Sequence, residues 1–281
     1  MSVIDSQVHA YEANTPKRPW HRPPHDWPAS VTADEMVAAM DAVGVDGAIM
    51  VSPNSLYAFD ASYAIEVQRA YPGRFAIVKP VNPDDPAVDD IVAEWKKQPG
   101  AVAIRVMFAL ANTTELNKAG IDRILRAAAR NNLPVNLQCG NHIDVGTSFI
   151  DAHPETRFVI DHLGSYQPRS KPAPANVWDN VPKVIELARR PNVALKVSGV
   201  CTMSREEFPY KDIWDPLARV FDAWGFERCL WGTDWTRAFP VVNYENATRP
   251  FLDTRRLSKS DWAMLMGGAC EKAYRWAPQK S

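Results

Sequence analysis

Short apolar runs alternate with amphipathic stretches along the whole chain. The first run, Val3-Ile4-Asp5-Ser6-Gln7-Val8-His9-Ala10, reads as a strand in which period-two alternation sets Asp5, Gln7 and His9 on one side and Ile4, Val8 and Ala10 on the other. Three polar groups on one face need partners if that face points into a closed barrel. Thr32-Ala33-Asp34-Glu35 is a capping-box signature with Thr32 as N-cap and Glu35 at N3. It opens a helix with the apolar stripe Met36, Val37, Met40 and Val43, and Gly44 closes it. Gly47 to Ser52 is then a continuous apolar run, as a parallel strand buried on both faces requires.

The same pair of elements recurs. The pattern predicts helices over Ala61–Tyr71, Ala87–Lys97, Ile121–Asn131, Val145–His153, Val181–Arg189, Trp214–Trp224 and Ser260–Tyr274. Strands are predicted over Arg74–Val81, Ala101–Phe108, Pro134–Gly140, Arg157–Gly164, Val193–Val200 and Cys229–Trp235. Eight strands alternating with helices predict an α/β fold, a single (β/α)8 TIM barrel with its active site at the C-terminal mouth. An open doubly wound sheet is the runner-up, weakened because no strand is followed by a GxGxxG or GxxxxGK[ST] phosphate loop. No linker or composition shift divides the chain, so one domain is expected over residues 1–281.

Composition narrows the chemistry. Of the 281 residues 46% are hydrophobic and 23% charged, and the formal net charge is −1, with Lys and Arg scattered rather than clustered. That balance points away from nucleic acid and membrane surfaces and toward a small-molecule substrate. The chain enters a strand at once, without a basic and apolar leader, and a cytoplasmic location is expected. Cys139, Cys201, Cys229 and Cys270 form no CxxC pair and read as small buried residues. The abundance of aromatic side chains makes a homo-oligomer the expected assembly.

In a barrel of this kind the polar residues at the C-terminal ends of strands belong together. They are Asp5, Gln7 and His9; Arg105; Asn136 and Gln138 with Asn141 and His142; Asp161 and His162; Lys196 and Ser198; Thr233 and Asp234 with Arg237. Two imidazoles and a carboxylate, His9, His162 and Asp234, converge from three strands. That set suits either a divalent transition metal or the activation of water. Asp5 is read as orienting His9 or stabilising its strand, and Lys196 as free to point outward between helices. The loop from Pro16 to Pro28 follows the first strand and carries five prolines with Trp20, His21, His25 and Trp27. It is expected either to wall the site or to pack against a neighbouring subunit.

VIDSQVH in the first strand, IRVMF in the fourth, VIDHLG in the sixth, LKVSGV in the seventh and LWGTDWTR in the eighth together resemble the amidohydrolase superfamily. The resemblance is to its amidohydrolase-2 branch of lactonases and metal-dependent decarboxylases, and it spans nearly the whole chain. It implies a catabolic hydrolase acting on a small carboxylated or aromatic-derived lactone. Asp234 would be the general base, and His9 and His162 would polarise the carbonyl. The family's first-strand His-x-His becomes Gln7 and His9 here, while His162 and Asp234 match its later histidine and last-strand aspartate. A divalent metal, zinc foremost, would sit on His9, His162 and Asp234. The amide of Gln7 is a poorer ligand than imidazole, so the metal is weakened or absent, as in branch members that work without one. Substrate would be bound by Gln7, Arg105, Gln138, His142, Trp20, His25 and Arg237. Decarboxylation of an aromatic or unsaturated acid is the alternative, and a non-catalytic barrel with a degenerate metal site is the third reading.

Overall fold

The computed structural model describes residues 2–108, 116–140 and 142–279; Asn141, collected above, lies outside them. Eight strands pair in parallel and in chain order. They are β1 (Ile4–Val8), β2 (Gly47–Val51), β3 (Phe75–Pro80), β4 (Ala101–Met107), β5 (Val135–Gln138), β6 (Phe158–Ile160), β7 (Val193–Ser198) and β8 (Cys229–Gly232). The seam between β1 and β8 is drawn together by backbone hydrogen bonds, His9 N to Trp235 O at 2.6 Å and Asp234 N to Gln7 O at 2.9 Å. The expected (β/α)8 barrel is thereby formed.

Helices α1 (Ala33–Val43), α2 (Asn54–Tyr57), α3 (Ser62–Ala70), α4 (Val88–Lys97), α5 (Lys118–Arg130), α6 (Ile143–Ala152), α7 (Val181–Leu187) and α8 (Trp214–Trp224) follow the strands. The chain ends with α9 (Tyr244–Leu252), α10 (Lys259–Ala263), a π-helical turn at Met264–Gly268 and α11 (Ala269–Tyr274). The capping box forms as the sequence predicts, since Thr32 Oγ1 accepts from Glu35 N, Thr32 N donates to the Glu35 carboxylate at 2.6 Å, and Gly44 turns left-handed at φ 78°. Helices α2 and α9 were not anticipated. The first is a single turn, and the second carries Pro250 in its interior, a residue that normally argues against a helix. No helix among the described residues is long and apolar enough to cross a membrane.

Apolar packing divides into two bodies. The larger lies between sheet and helices. The smaller fills the barrel, where Ile4, Ile49, Val78, Ala103, Val159 and Leu230 meet, and Tyr274 and Cys270 of α11 plug its lower end. All four cysteines are buried and free.

The first strand departs from simple alternation. Between Asp5 and Val8 its register against β2 slips, with Asp5 opposite Ala48 and Val8 opposite Met50, so β1 carries one extra residue. Asp5 is therefore separated from Gln7 and His9 and does not share their face. It accepts from Gln7 N at 3.0 Å, Thr233 N at 2.9 Å and Thr233 Oγ1 at 2.6 Å, clasping β1 to the end of β8. Burial pushes its carboxyl up to about 6 against those hydrogen bonds. Gly232 permits the approach, because a Cβ there would lie 2.7 Å from Ser6 Oγ.

Candidate active site

At the C-terminal ends of the strands lies a cavity of about 330 Å³. His9, Arg105, Gln138, His142, His162, Asp234 and Arg237 all face it. These residues come from the ends of β1, β4, β5, β6 and β8, so groups remote in sequence meet as expected. Two of them sit on backbone that non-glycine residues seldom adopt: His162 has φ 54° and Asp234 φ 55°. Their side chains are brought to the cavity wall at the expense of local strain.

Three predicted residues are placed differently. Gln7 lies fully buried beneath the cavity, because the extra residue in β1 turns it toward the barrel axis. Trp20 packs edge-on against Tyr11 at 5.9 Å and donates from Nε1 to Glu12 O, which takes it away from the site. His25 is exposed and does not border the cavity. The loop does wall the site, but through Pro24 and Trp27, the latter stacked on Tyr11 at 5.2 Å. An Asp26–Arg169 ion pair ties this loop to the segment after β6.

Beneath the cavity is a charged group whose composition was legible but whose arrangement was not. Lys196, read as free to point outward, points inward and is fully buried. Its Nζ lies 3.0 Å from Asp161 Oδ1 and donates to Gln7 Oε1 at 2.5 Å. Arg105 Nε donates to the other oxygen of Asp161 at 2.8 Å. Burial works to raise the Asp161 pKa, but Lys196 and Arg105 outweigh it and hold the carboxyl well below the usual range. Burial also pulls the Lys196 pKa down, opposed by Asp161.

The imidazoles can be assigned from their neighbours. Nδ1 of His9 lies 2.7 Å from the carbonyl of Val51, an acceptor only, so His9 carries a hydrogen there. Nδ1 of His162 is 2.8 Å from Ser198 Oγ, and its Nε2 faces Arg105 Nη2, a donor only, at 3.5 Å. Burial drives the His162 pKa down to about 4, so at neutral pH it is an uncharged ring with its Nε2 lone pair toward the cavity. Asp234 lies between them, with Oδ1 3.2 Å from His9 Nε2 and Oδ2 3.8 Å from His162 Nε2. Both oxygens are buried, and among the described residues they meet no possible hydrogen-bond partner other than these two ring nitrogens. Burial works to raise the Asp234 pKa, yet charge on His162, a hydrogen bond and charge from His9, and Arg237 bring it down to about 2. Loss of the His162 proton above about pH 4 lifts part of that hold, leaving a bare anion.

Do these groups fit a resident divalent ion? A metal needs the Nε2 lone pairs, and each already faces a donor. Gln7 Nε2 stands 3.4 Å from His9 Nε2, and Arg105 Nη2 stands by His162. The amide cannot present its oxygen instead without turning its NH2 onto the Lys196 ammonium. Among the described residues no group of three or more His, Cys, Asp or Glu has the closeness to hold an ion. The donor set does not fit a metal.

On the remaining wall, Arg237 Nη2 donates to Gln167 O at 2.6 Å, while Nη1 is buried without a partner. Gln167 is seated by Gly199, left-handed at φ 67°, where a Cβ would fall 1.7 Å from the Gln167 amide. Tyr166 and Arg169 also border the cavity. Nothing in the spacing of Gln167, Arg169 or Gly199 along the sequence marked them.

The amidohydrolase family model matches residues 4–276. A 4-sulfomuconolactone hydrolase from Hydrogenophaga intermedia is 26% identical over 232 residues, 82% of this chain and 73% of that protein. Two solved structures share the fold. An amidohydrolase from Burkholderia multivorans with bound zinc has a TM-score of 0.82 at 20% identity, covering 98% of this chain and 99% of its own. A probable 2-pyrone-4,6-dicarboxylic acid hydrolase from Acinetobacter baumannii, with citric acid bound, has a TM-score of 0.78 at 19% identity, covering 98% and 100%.

Proposed function

Because the chain belongs to the amidohydrolase family, we propose that it hydrolyses the lactone of a small organic acid, with the Asp234 carboxylate taking the proton from the attacking water. The observation that carries this reading is the placing of Asp234, a buried carboxylate at the cavity wall between His9 and His162 whose oxygens meet no other hydrogen-bond partner among the described residues. A water seated there gives a hydrogen to Asp234, which leaves its own lone pair free to face the lactone carbonyl. Its oxygen bonds to the carbonyl carbon, the ring C–O bond breaks, and Asp234 returns the proton to the departing oxygen. His162, uncharged, faces Arg105 with its Nε2, and the Nε2 of His9 faces the Gln7 NH2. Polarising the carbonyl therefore falls to the guanidiniums rather than to His9 and His162, the assignment the family resemblance implied. Arg105 and Arg237 divide two tasks, one holding a substrate carboxylate and the other the carbonyl oxygen. The lactone-cleaving relative from Hydrogenophaga intermedia supports the substrate class. The reaction is proposed to run without a divalent ion, on the donor arrangement given above.

The test is proton release from a panel of five- and six-membered lactones, with and without a carboxylate, by wild type and Asp234→Asn. At least one carboxylated lactone should open, and the variant should lose about 100-fold or more in kcat. A variant as fast as wild type ends the proposal, and release of carbon dioxide from an acid without lactone opening would establish the decarboxylase alternative instead.

A further inference from the structure

We propose that Lys196 is a positioning residue that acts through Gln7 to keep the Nε2 atom of His9 free of hydrogen, and thereby keeps Asp234 without a donor. The argument rests on the two ends of a relay whose direction chemistry fixes. An ammonium only donates, so the Gln7 atom 2.5 Å from Lys196 Nζ is the amide oxygen. The NH2 of the same amide is then the group 3.4 Å from His9 Nε2, and an NH2 only donates, so Nε2 accepts. At the other end the Val51 carbonyl only accepts, so Nδ1 of His9 donates to it at 2.7 Å. Every link runs the same way, from Lys196 through Gln7 and His9 to Val51.

The consequence falls on Asp234. Its Oδ1 is 3.2 Å from His9 Nε2, near enough to take a hydrogen from it. A hydrogen on Nε2 would be given to that oxygen as a charge-assisted bond and would weaken the base before water arrived. The charged and titratable groups around His9 are Asp234 from beyond β8, His162 from beyond β6 and Arg105 of β4, with Lys196 of β7 and Asp161 behind Gln7. Of these only Lys196 touches the amide that sets the direction. The loss of imidazole at position 7 thus brings in a device rather than leaving a gap.

Two variants reverse the relay. In Gln7→Glu, nearly isosteric and still paired with Lys196, the group beside His9 becomes an acceptor and calls for a hydrogen at Nε2. In Lys196→Met the amide is free to turn its oxygen to His9, with the same result. Nitrogen-15 NMR of histidine-labelled protein, with His9 identified among the six histidines by comparison with His9→Gln, reads this directly. Wild type at neutral pH should show hydrogen on Nδ1 alone, and both variants should show hydrogen on Nε2. On the lactone that the enzyme opens, both variants should lose about tenfold or more in kcat with KM little changed. Hydrogen on Nε2 in wild type, or a His9 pattern that Gln7→Glu leaves unchanged, overturns the proposal. The kinetic arm rests on the proposed lactonase reading. The spectrum needs no substrate, so the two ideas fail separately.

Discussion

Asp161→Asn isolates the electrostatics beneath the cavity. The Asp161 carboxylate is shared by Arg105 Nε at 2.8 Å and Lys196 Nζ at 3.0 Å, and the side chains of all three are at most 5% exposed. Asn keeps the volume and removes the charge, leaving two buried cations with no anion between them. Breaking a buried pair in this way costs about 3–5 kcal/mol, because the surviving charge stays out of water. Urea or guanidinium denaturation of wild type and variant measures the difference at pH 7.

The pH dependence gives a second, independent check. In wild type Asp161 is held below the usual carboxylate range, so the stability it contributes is lost only as pH falls below about 4, the value for an unfolded chain. Between pH 5 and 8 it gives no step. In the variant Lys196 loses its partner while burial still pulls its pKa down, whereas the unfolded chain keeps that proton to about 10.4. The unfolded state then binds more protons, and stability rises with pH. The deficit of Asp161→Asn should therefore shrink from pH 7 to pH 9, and adding Lys196→Met should cost less in the variant than in wild type. A deficit below about 1 kcal/mol, or one equal at both pH values and indifferent to Lys196→Met, would refute the reasoning.

Two further outcomes follow from the cavity walls. Arg237→Met removes a guanidinium whose Nη1 is buried without a partner, and should raise KM for a carboxylated lactone about 10- to 100-fold while sparing an uncharged one; equal losses on both would assign Arg237 to the carbonyl oxygen or to the fold instead of the carboxylate. Dialysis against a strong chelator should leave kcat unchanged, with bound metal well below one per chain by elemental analysis. Activity lost on chelation and restored by zinc would show that the Gln7 amide and Arg105 give way to an ion after all.

Much of the fold was legible because its signals are local. The capping box at Thr32 and Glu35, the left-handed Gly44 and the span of α8 from Trp214 to Trp224 came out as the pattern predicts. What was not legible depends on one strand's irregularity and on side-chain direction. Alternation placed Asp5 with Gln7 and His9, but the extra residue in β1 turns Asp5 to the seam, where it clasps Thr233. Lys196 looked as free to face outward as inward, since no sequence pattern says that Asp161 waits inside. Of the loop's expected wall residues, Trp27 borders the cavity while Trp20 and His25 do not, for a similar reason. A proline-rich loop has no period, and which aromatic turns inward is settled by Tyr11, against which both tryptophans pack.

The charges around the cavity also say which way the reaction should run. Lys196, Arg105 and Arg237 are opposed by Asp161 and Asp234, and with His162 uncharged and His9 in the form proposed above the group carries one excess positive charge. A lactone bearing one carboxylate brings that to neutrality on binding. Ring opening adds a second carboxylate beside Asp234, in a cavity where buried guanidiniums have already been satisfied. The product is thus an anion too many, and repulsion at short range in a poorly solvated pocket favours its departure. A divalent ion in the same place would invert that balance, leaving a surplus of positive charge after hydrolysis and holding the product. On the proposed lactonase reading, the Lys196 ammonium, fixed on Asp161 and Gln7, would supply a charge that binds the monoanion and yet lets the dianion go.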